Sequence, residues 1–393
     1  MPDSKGAPRG KRLLDARRYR SSVPRHRPRA RGAPRDEPRR GRDLLRHSRL
    51  RARLRPDRAR DPRDRGGGGG RRLQRCGGGV AGGRARAGCC GVGAGPARGL
   101  RGAPRLRSLA ARPAEEVGRE LGRVVATLDA EPKTLLLLAD SYNLAPDELL
   151  AGVESAAPGT VVLGAGASED GTIGETTVVG RGVASSNAVA GLAIGGLDVR
   201  SMVTQGGTPV GRWWKVTRAE SNRILELDGE PALSVFLTEI PELLRADLRE
   251  ALRCTRAALA DQITDGEETP PYVVRRLLGA DVSQGALLVG DEVIPGMHFA
   301  LAVRDPAAAR ESFARNVEEF AATSRDIAGA LYFNSVERGE ALYGIPDLDT
   351  AYLRRSLGDV EIAGFFSGAE LAPLAGRNRF HQSSGVLVGF ADG

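Results

Sequence analysis

Residues 198–233 constrain the fold most, because the sequence predicts four different elements within them. β-Forming residues at 199–203 predict a strand that stops at Gly206 and Gly207. Glycine adopts positive φ at no steric cost, so a tightly shaped turn is expected there. Further β-formers at 213–227, interrupted by turn residues, predict a hairpin, and a helix is expected to follow it. This succession of elements indicates a backbone that presents a binding surface.

The charge of the chain is divided between two opposed parts. The 393 residues carry a formal net charge of +9. Residues 1–113 contain 34 Lys and Arg against 8 Asp and Glu, whereas the remaining residues contain 24 against 41. A genuine basic arm favours nucleic acid or an anionic membrane surface as its partner. The acidic remainder is typical of a cytoplasmic globular protein.

Residues 1–112 are an Arg/Gly/Pro-rich, low-complexity segment without apolar periodicity. Such a composition cannot bury enough apolar surface to offset chain entropy, which predicts a disordered basic tail. The other interpretation is a reading-frame artefact of GC-rich DNA. The codons of residues 88–93, read one nucleotide later, permit the strand-like string Gly-Ala-Ala-Val-Ser. We favour the artefact, because disorder alone does not explain so abrupt a change in composition.

The sequence gives few signs of a metal site, a cofactor site or a known catalytic motif. The four cysteines have no paired C-x-x-C spacing, so neither a zinc site nor a disulfide framework is predicted. The weakly polar run at 188–197 is well short of the roughly 20 residues that a membrane helix needs. P-loop, G-x-S-x-G and H-E-x-x-H motifs are absent from the sequence. We therefore expect no metal, no cofactor and no catalytic residue, in a cytoplasmic protein that does not contact the membrane.

Apolar runs that alternate with amphipathic segments predict an α/β fold with mixed sheets, of α+β character. The continuous apolar run at 134–139 predicts a strand covered on both faces. Apolar residues spaced among charges at 241–263 predict an amphipathic helix or a helix pair. A polar, proline-containing stretch at 265–271 is typical of a domain boundary. Two related α/β domains are thus expected, at 113–264 and 265–393.

Several strings of residues resemble the FIST family, which pairs an N-terminal with a C-terminal domain. They include Q-G-G-T-P-V-G at 205–211, N-R-I-L-E-L-D-G at 222–229, G-A-L-Y-F-N-S-V-E-R-G at 329–339 and G-F-F-S-G-A-E-L-A-P at 364–373. The resemblance covers about 133–390, with the front of the N-terminal domain missing or scrambled. It implies a non-catalytic intracellular sensory module that binds a small metabolite, such as an amino acid, and acts in signal transduction with a protein partner.

The polar residues at 334–339 follow a predicted strand in the second domain, where a small-ligand site is expected. The family usually shows a cysteine where this chain has Ser335 and a glycine where it has Glu337, so a thiol role is absent. Arg338 matches the family and is expected to hold a carboxylate in a bidentate manner. Pairing of Arg338 with Glu337, Glu340 or Glu370 is an equally weighted alternative.

Glu370 matches the family in a loop after a later strand, where it would accept a ligand amine or cap a turn. If the strands at 330–333 and 360–366 are parallel neighbours, Arg338 and Glu370 emerge at the same sheet edge. Together they offer a cation and an anion to a zwitterion. We expect them to line one pocket and to carry ligand affinity, not fold stability. The predicted ligand-binding residues are Arg338, Glu370, Asn334, Ser335, His381, Gln205 and Gly206.

Three of these residues have simpler alternative roles. His381 matches the family, but a lone histidine is more often a structural hydrogen-bonding group. Gln205 and Gly206 would present backbone donors to an anionic group, whereas the simpler interpretation, which we weigh slightly higher, is that they only make a turn.

Two other functions stay open at this point. An enzyme on the same scaffold would act at Asn334, Ser335, Arg338 and Glu370. A hydrolytic triad of Ser335, His381 and an aspartate can be written down, but no spacing supports it. A nucleic-acid-associated protein would use the basic N-terminal segment, and we expect that partner only if the segment is genuine.

Overall fold

A computed structural model describes residues 105–109, 112–169, 173–180, 182–264, 269–324 and 326–391. They all belong to one compact unit of the chain, Ala81–Gly393. The two interpretations of residues 1–112 fall almost wholly outside the described residues. The main exception is Arg105–Ser108, which forms a strand ahead of residue 113, where order was expected to begin.

Helices and mixed sheets alternate along the described residues and confirm the predicted α/β class. The helices are α1 (Ala114–Ala126), α2 (Pro146–Ala156), α3 (Ala232–Glu239), α4 (Leu248–Cys254), α5 (Pro306–Thr323), α6 (Glu340–Tyr343) and α7 (Leu348–Leu357). The strands are β1 (Arg105–Ser108), β2 (Lys133–Asp140), β3 (Val161–Ala167), β4 (Val178–Gly180), β5 (Val183–Ser185), β6 (Ala188–Gly195), β7 (Val199–Gln205), β8 (Thr208–Glu220), β9 (Arg223–Leu227), β10 (Glu230–Pro231), β11 (Thr255–Ala260), β12 (Val273–Asp281), β13 (Ala286–Val289), β14 (His298–Val303), β15 (Ile327–Ser335), β16 (Glu361–Ser367), β17 (Ala369–Leu374), β18 (Arg377–His381) and β19 (Ser384–Ala391).

The first sheet has the strand order β1-β6-β2-β3-β17-β18, and α1 and α2 pack against it. The apolar run that predicted a strand covered on both faces is β2, which lies between β6 and β3. Glycines let the two helices approach each other closely. A Cβ at Gly118 of α1 would lie 2.0 Å from the carbonyl oxygen of Leu149, and one at Gly152 of α2 would lie 2.1 Å from that of Glu115. Any larger residue at either glycine would therefore separate the helices.

The second sheet has the strand order β16-β15-β19-β7, and α5 and α7 pack against it. Helix α5 begins after its N-cap residue Asp305, whose carboxylate accepts hydrogen bonds from the backbone amides of Ala307 and Ala308. Apolar residues of the first and second sheets share one core cluster, which includes Leu163 of β3 and Phe333 of β15. The two sheets therefore face each other, with helices on their outer sides.

The third sheet has the strand order β10-β9-β13-β12-β11-β14-β8 and holds the predicted hairpin as β8 and β9. The predicted helix or helix pair over 241–263 is wrong from residue 255 onward. The chain forms a short 3-10 turn at Glu242–Leu244 and then α4, and it continues as β11. All six residues of β11 are buried, and the strand lies between β12 and β14. Pairing on both sides overrides the helical preference of its alanines.

The three sheets combine strands from both sides of residue 265, the predicted domain boundary. Strands β17 and β18 join the first sheet, β7 joins the second, and β8, β9 and β11 pair with β12 to β14 in the third. The division into domains at that residue stays a prediction. Among the described residues, no helix combines the length and apolarity that crossing a membrane requires.

Candidate functional site

Strands β15 and β16 are parallel neighbours and end at the same edge of the second sheet. Ser335, the last residue of β15, pairs in register with Ser367, the last residue of β16. On the other side of β15, Ser384 opens β19 and pairs with Gln205, the last residue of β7. The condition on which Arg338 and Glu370 were expected to share one sheet edge is therefore met.

Arg338 lies at this edge and is almost completely buried, with an exposed fraction of 1%. Its Nε donates to Asn334 Oδ1 at 3.0 Å, its Nη1 to the backbone oxygen of Gln205 at 3.1 Å, and its Nη2 to the Tyr343 hydroxyl at 2.6 Å. The three contacts join β15, β7 and α6. An arginine held on three sides is fixed in one orientation.

The acidic partner of Arg338 is Asp349 of α7, not Glu337, Glu340 or Glu370. Arg338 Nη2 lies 3.8 Å from Asp349 Oδ1. The other carboxylate oxygen of Asp349 accepts from Asn334 Nδ2 at 2.7 Å and from the Tyr332 hydroxyl at 3.1 Å. Burial raises the pKa of Tyr332 well above its ordinary value. The hydroxyl therefore stays protonated and remains a donor.

Glu370 is completely buried at the start of β17 and contacts the second sheet through two serines. Ser367 Oγ donates to Glu370 Oε1 at 2.6 Å, and Ser384 Oγ donates to Glu370 Oε2 at 2.6 Å. Burial raises the pKa of Glu370 to about 7, although the serine hydrogen bonds and the Arg338 charge oppose that rise. Glu370 is thus partly protonated near neutral pH and ties the first sheet to the second.

His381 ends β18 and is a buried, neutral imidazole. Its Nε2 lies 3.1 Å from the Ala372 carbonyl oxygen, and its Nδ1 lies 3.5 Å from Gln205 Nε2. Burial lowers the pKa of His381 to about 4, so the ring is neutral near pH 7. Because the Ala372 oxygen can only accept and Gln205 Nε2 donates, the proton is on Nε2 and Nδ1 is the acceptor. Gln205 Nε2 also lies 3.1 Å from the Tyr272 carbonyl oxygen of the third-sheet region. This pair therefore joins residues of all three sheets.

Gly206 and Ser335 both contact backbone atoms at this edge. A Cβ at Gly206 would lie 2.1 Å from the Ser383 carbonyl oxygen, so only glycine permits this approach. Ser335 Oγ accepts from the backbone amide of Glu337 at 3.3 Å. Both nitrogens of His381 have partners other than Ser335, so the described structure does not assemble the hydrolytic triad.

The seven predicted residues therefore fall into one connected group and three neighbours. Arg338, Asn334, Gln205 and His381 are joined directly or through one another by the hydrogen bonds given above. Glu370 is coupled to Arg338 by charge, and among the described contacts no hydrogen bond or ion pair joins the two. Ser335 and Gly206 directly follow two members of the group, Asn334 and Gln205, in the sequence.

Several residues of this edge were not found from the sequence. Asp349 and Tyr343 come from helices that follow the strand, and Ser367 and Ser384 end or begin strands. Ser367 lies in the same family string as Glu370, which was a usable signal. Asp349 had no such signal, because only the packing of α7 against β15 brings it to Arg338.

Elsewhere, the described residues contain an uncharged cavity and no arrangement typical of a metal site. A cavity of about 170 Å³ at the opposite end of β15 is lined by uncharged residues of α5, β15 and α7 and their flanks. Within the residues that the structure describes, no group of three or more His, Cys, Asp or Glu side chains is arranged to hold a metal ion. The sheet edge around Arg338 is therefore the best candidate site.

Comparison with known families agrees with the strings found in the sequence. Residues 76–230 match the FIST N domain, and residues 232–373 match the FIST C domain. The chain belongs to the FIST family. FIST domains are sensory domains of signal transduction. The N-domain match begins at residue 76, inside the low-complexity segment of residues 1–112.

Curated mycobacterial proteins are similar to this FIST chain. An uncharacterized protein of Mycobacterium bovis is 32% identical over 260 residues, which cover 65% of this chain and 67% of the relative. A protein of Mycobacterium tuberculosis, also uncharacterized, has the same identity and coverage. A second uncharacterized protein of Mycobacterium tuberculosis is 31% identical over 262 residues, which cover 65% of this chain and 68% of the relative.

Proposed function

We propose that the protein is a non-catalytic sensory module that binds a small, amino acid-like metabolite at the edge formed by β15 and β16. One observation carries this proposal: a buried cation, Arg338, and a buried carboxyl group, Glu370, lie at the same sheet edge beside buried acceptor atoms that have no hydrogen-bond partner among the described residues. An amino acid brings a carboxylate for the guanidinium and an ammonium for the acceptors. The edge therefore offers complementary groups for both ends of a zwitterion.

Two buried acceptor atoms that lack hydrogen-bond partners favour a ligand that donates hydrogen bonds. Gln205 Oε1 and Asp349 Oδ1 are buried, and neither has a hydrogen-bond partner among the described residues. An unsatisfied buried acceptor costs about 1–3 kcal/mol, which a donor in the ligand would recover. Both atoms are acceptors on residues that contact Arg338. An ammonium placed between them would also reduce the like charge that a bound carboxylate brings to Asp349.

Apolar side chains at the same edge support a small-ligand site. Val336 and Phe366 are both exposed. Val336 directly follows Ser335, and Phe366 directly precedes Ser367, with which Ser335 pairs. The Val336 amide donates to the Ser367 carbonyl oxygen at 2.9 Å, which holds the two loops together. Ligand sites in proteins combine an apolar lining with a few placed polar groups. The two side chains would supply that lining next to Arg338.

The contacts that a ligand would take over also hold the sheets together. Arg338 joins β7 to the turn after β15, and Glu370 joins the first sheet to the second. A ligand that replaces these contacts changes how the sheets are held, which a signalling protein partner would detect. A sensor of internal metabolites acts in the cytoplasm, where we expect this protein.

A two-step experiment tests the proposal. The melting temperature of the full chain is measured with each of the 20 amino acids at constant pH and ionic strength, because a ligand of the native state stabilises it. Calorimetry then compares the responding amino acid on the wild type, Arg338→Lys, Glu370→Gln and the control Glu361→Gln, which changes an exposed residue at the start of β16. We expect at least a tenfold loss of affinity in the first two variants and none in the control. No response to any amino acid, or unchanged affinity in both variants, contradicts the proposal.

Turnover distinguishes a sensor from an enzyme on the same scaffold. The responding amino acid is incubated with the protein and analysed by chromatography and mass spectrometry. A sensor leaves it chemically unchanged, and we expect full recovery. Its stoichiometric or catalytic conversion would favour the enzyme interpretation, with Asn334, Ser335, Arg338 and Glu370 as the residues to substitute first.

A further inference from the structure

Three arginines lie together on one face of the third sheet. Arg256 of β11 and Arg276 of β12 are directly opposite each other in the antiparallel register. Arg256 also pairs with Ala302 of β14, and Arg304 follows Ala302 by two residues, which continues the same face. Like charges placed directly opposite each other on a sheet destabilise it. Such an arrangement needs an anion to offset the repulsion.

Among the residues that the structure describes, Glu337 is the acidic residue that contacts all three arginines. Its carboxylate pairs with Arg276 and lies 3.5 Å from Arg256 Nη2, while Arg304 donates to the Glu337 backbone oxygen. Ser383 Oγ also donates to the carboxylate. Burial alone would raise the pKa of Glu337, but the Ser383 and Arg276 hydrogen bonds and the arginine charges hold it at about 2. Glu337 is therefore a carboxylate at every physiological pH.

One carboxylate does not balance three guanidinium groups. Burial lowers the pKa of Arg304, and the charges of Arg256, Arg276 and Arg338 lower it further against the opposing effect of Glu337. The Nε of Arg256 is buried and has no hydrogen-bond partner among the described residues, and only a tenth of that side chain is exposed. Arg276, by contrast, has an exposed fraction of 60%. The group thus combines surplus positive charge, an unused donor and access from solvent.

We propose that Arg256, Arg276 and Arg304 form a binding site for a small oxyanion, a carboxylate or phosphate group, which Glu337 occupies as an internal competitor. Arginine presents its donors in a planar fork that matches both kinds of oxyanion. Glu337 fills part of the site and offsets one of the three charges. An external oxyanion binds beside the Glu337 carboxylate or displaces it.

This oxyanion site is separate from the amino acid site proposed above. Glu337 and Arg338 are adjacent in sequence, but Arg338 contacts Asn334, Gln205 and Tyr343, none of which contacts Glu337 in the hydrogen bonds of the described residues. The oxyanion site can therefore exist whether or not an amino acid binds at Arg338. Its position next to that residue means that displacement of Glu337 would move the turn that carries Arg338.

Calorimetry with inorganic phosphate and, separately, with succinate tests the oxyanion site. The full chain is titrated at pH 7 with ionic strength held constant by sodium chloride. We expect weak binding to the wild type, at least tenfold tighter binding to Glu337→Gln, and loss of that gain in the double variant Glu337→Gln/Arg276→Ala. A response to one probe alone supports the site and identifies its oxyanion. Equal affinities in the wild type and a folded Glu337→Gln would overturn the proposal.

A second comparison covers the case in which Glu337→Gln fails to fold. Arg276→Ala is compared with Arg218→Ala, a matched control whose side chain has an exposed fraction of 59% and also pairs with a glutamate. We expect phosphate or succinate to raise the melting temperature of the wild type and Arg218→Ala equally, and that of Arg276→Ala by half as much or less. An equal rise in all three proteins, or none in any of them, would rule the site out.

Discussion

Glu337 and Glu370 lie near the same sheet edge, but their surroundings move their pKa values in opposite directions. Glu370 is enclosed by neutral serine hydroxyls and has a pKa of about 7, because burial dominates. Glu337 is surrounded by arginines and has a pKa of about 2, because their charges and hydrogen bonds outweigh its burial. Two residues of one type thus serve as a partly protonated link between sheets and as a permanent anion. The sign of the neighbouring groups, more than depth alone, decides which role a carboxyl group takes.

The largest expected effect is a loss of stability in Arg338→Ala. This substitution leaves Asp349 and the Gln205 carbonyl oxygen without their cationic partner in a buried place. Breaking a buried pair in this way costs about 3–5 kcal/mol. Urea unfolding at pH 7 measures the loss. Burial therefore makes Arg338 important for fold stability, whereas the sequence predicted a role in ligand affinity alone. A loss below about 1 kcal/mol would contradict this stabilising role.

Glu370→Gln should make the protein more stable than the wild type at pH 8 but not at pH 4.5. Because the folded-state pKa of Glu370 lies above its ordinary value of 4.5, the folded protein binds this proton more tightly. The wild type therefore loses stability as the pH rises from about 4.5 to about 7, by about 3 kcal/mol. Glutamine does not ionise and avoids this loss.

Unfolding of the wild type and Glu370→Gln is measured at several values between pH 4.5 and 8. His381 has a lowered pKa of about 4 and adds stability as the pH rises from about 4 to about 6.5. That contribution is the same in both proteins and cancels in their difference. A difference that does not change with pH would mean that Glu370 ionises normally.

Glu337→Gln should have the opposite pH dependence. The folded-state pKa of Glu337 lies below its ordinary value of 4.5, so its contribution to stability is present above about pH 4.5 and is lost as the pH falls towards about 2. The variant should be less stable than the wild type at pH 7 by about 1–2 kcal/mol, a figure reduced for solvent screening of a partly exposed pair. Denaturant unfolding at pH 7 and pH 3 should give a smaller difference at the lower pH.

The smallest expected effect is that of Arg276→Ala on stability. Its guanidinium is mostly exposed, and the substitution relieves the repulsion with Arg256 while it removes one partner of Glu337. Exposed ion pairs contribute about 0–1 kcal/mol. Denaturant unfolding of Arg276→Ala and of the control Arg218→Ala at pH 7 should show that each variant loses a free energy of unfolding within that range. A loss as large as that of Arg338→Ala would mean that the exposed Arg276 stabilises the fold as much as the buried Arg338 does.

Much of the fold could be predicted because its signals are local. Strands β2 and β7, the hairpin of β8 and β9, and helix α3 after it lie near the bounds predicted from apolar runs and turn residues. Strand β11 could not be predicted in this way, since its alanine-rich run becomes a strand only through pairing with β12 and β14. Strands β17 and β18 are likewise defined by their partners in another sheet.

The candidate site was predictable only where residues follow one strand closely. Asn334 and Arg338 are four residues apart and contact each other directly. Glu370 could be placed at the same edge once the strand before it, β16, was taken as a parallel neighbour of β15. The partners Asp349 and Ser384 depend on how distant segments pack, which the sequence pattern does not encode. The same reason hid the arginine cluster, because Arg256 and Arg276 meet only through the register of β11 and β12.

Titration of the two glutamate side chains by ¹³C NMR tests the electrostatic contrast most directly. The full chain is labelled at the glutamate carboxyl carbon, and the signals of Glu337 and Glu370 are assigned by their loss in Glu337→Gln and Glu370→Gln. The account predicts that Glu370 titrates with a midpoint near pH 7 and that Glu337 keeps its charge down to about pH 2. Midpoints between pH 4 and 5 for both residues would contradict it.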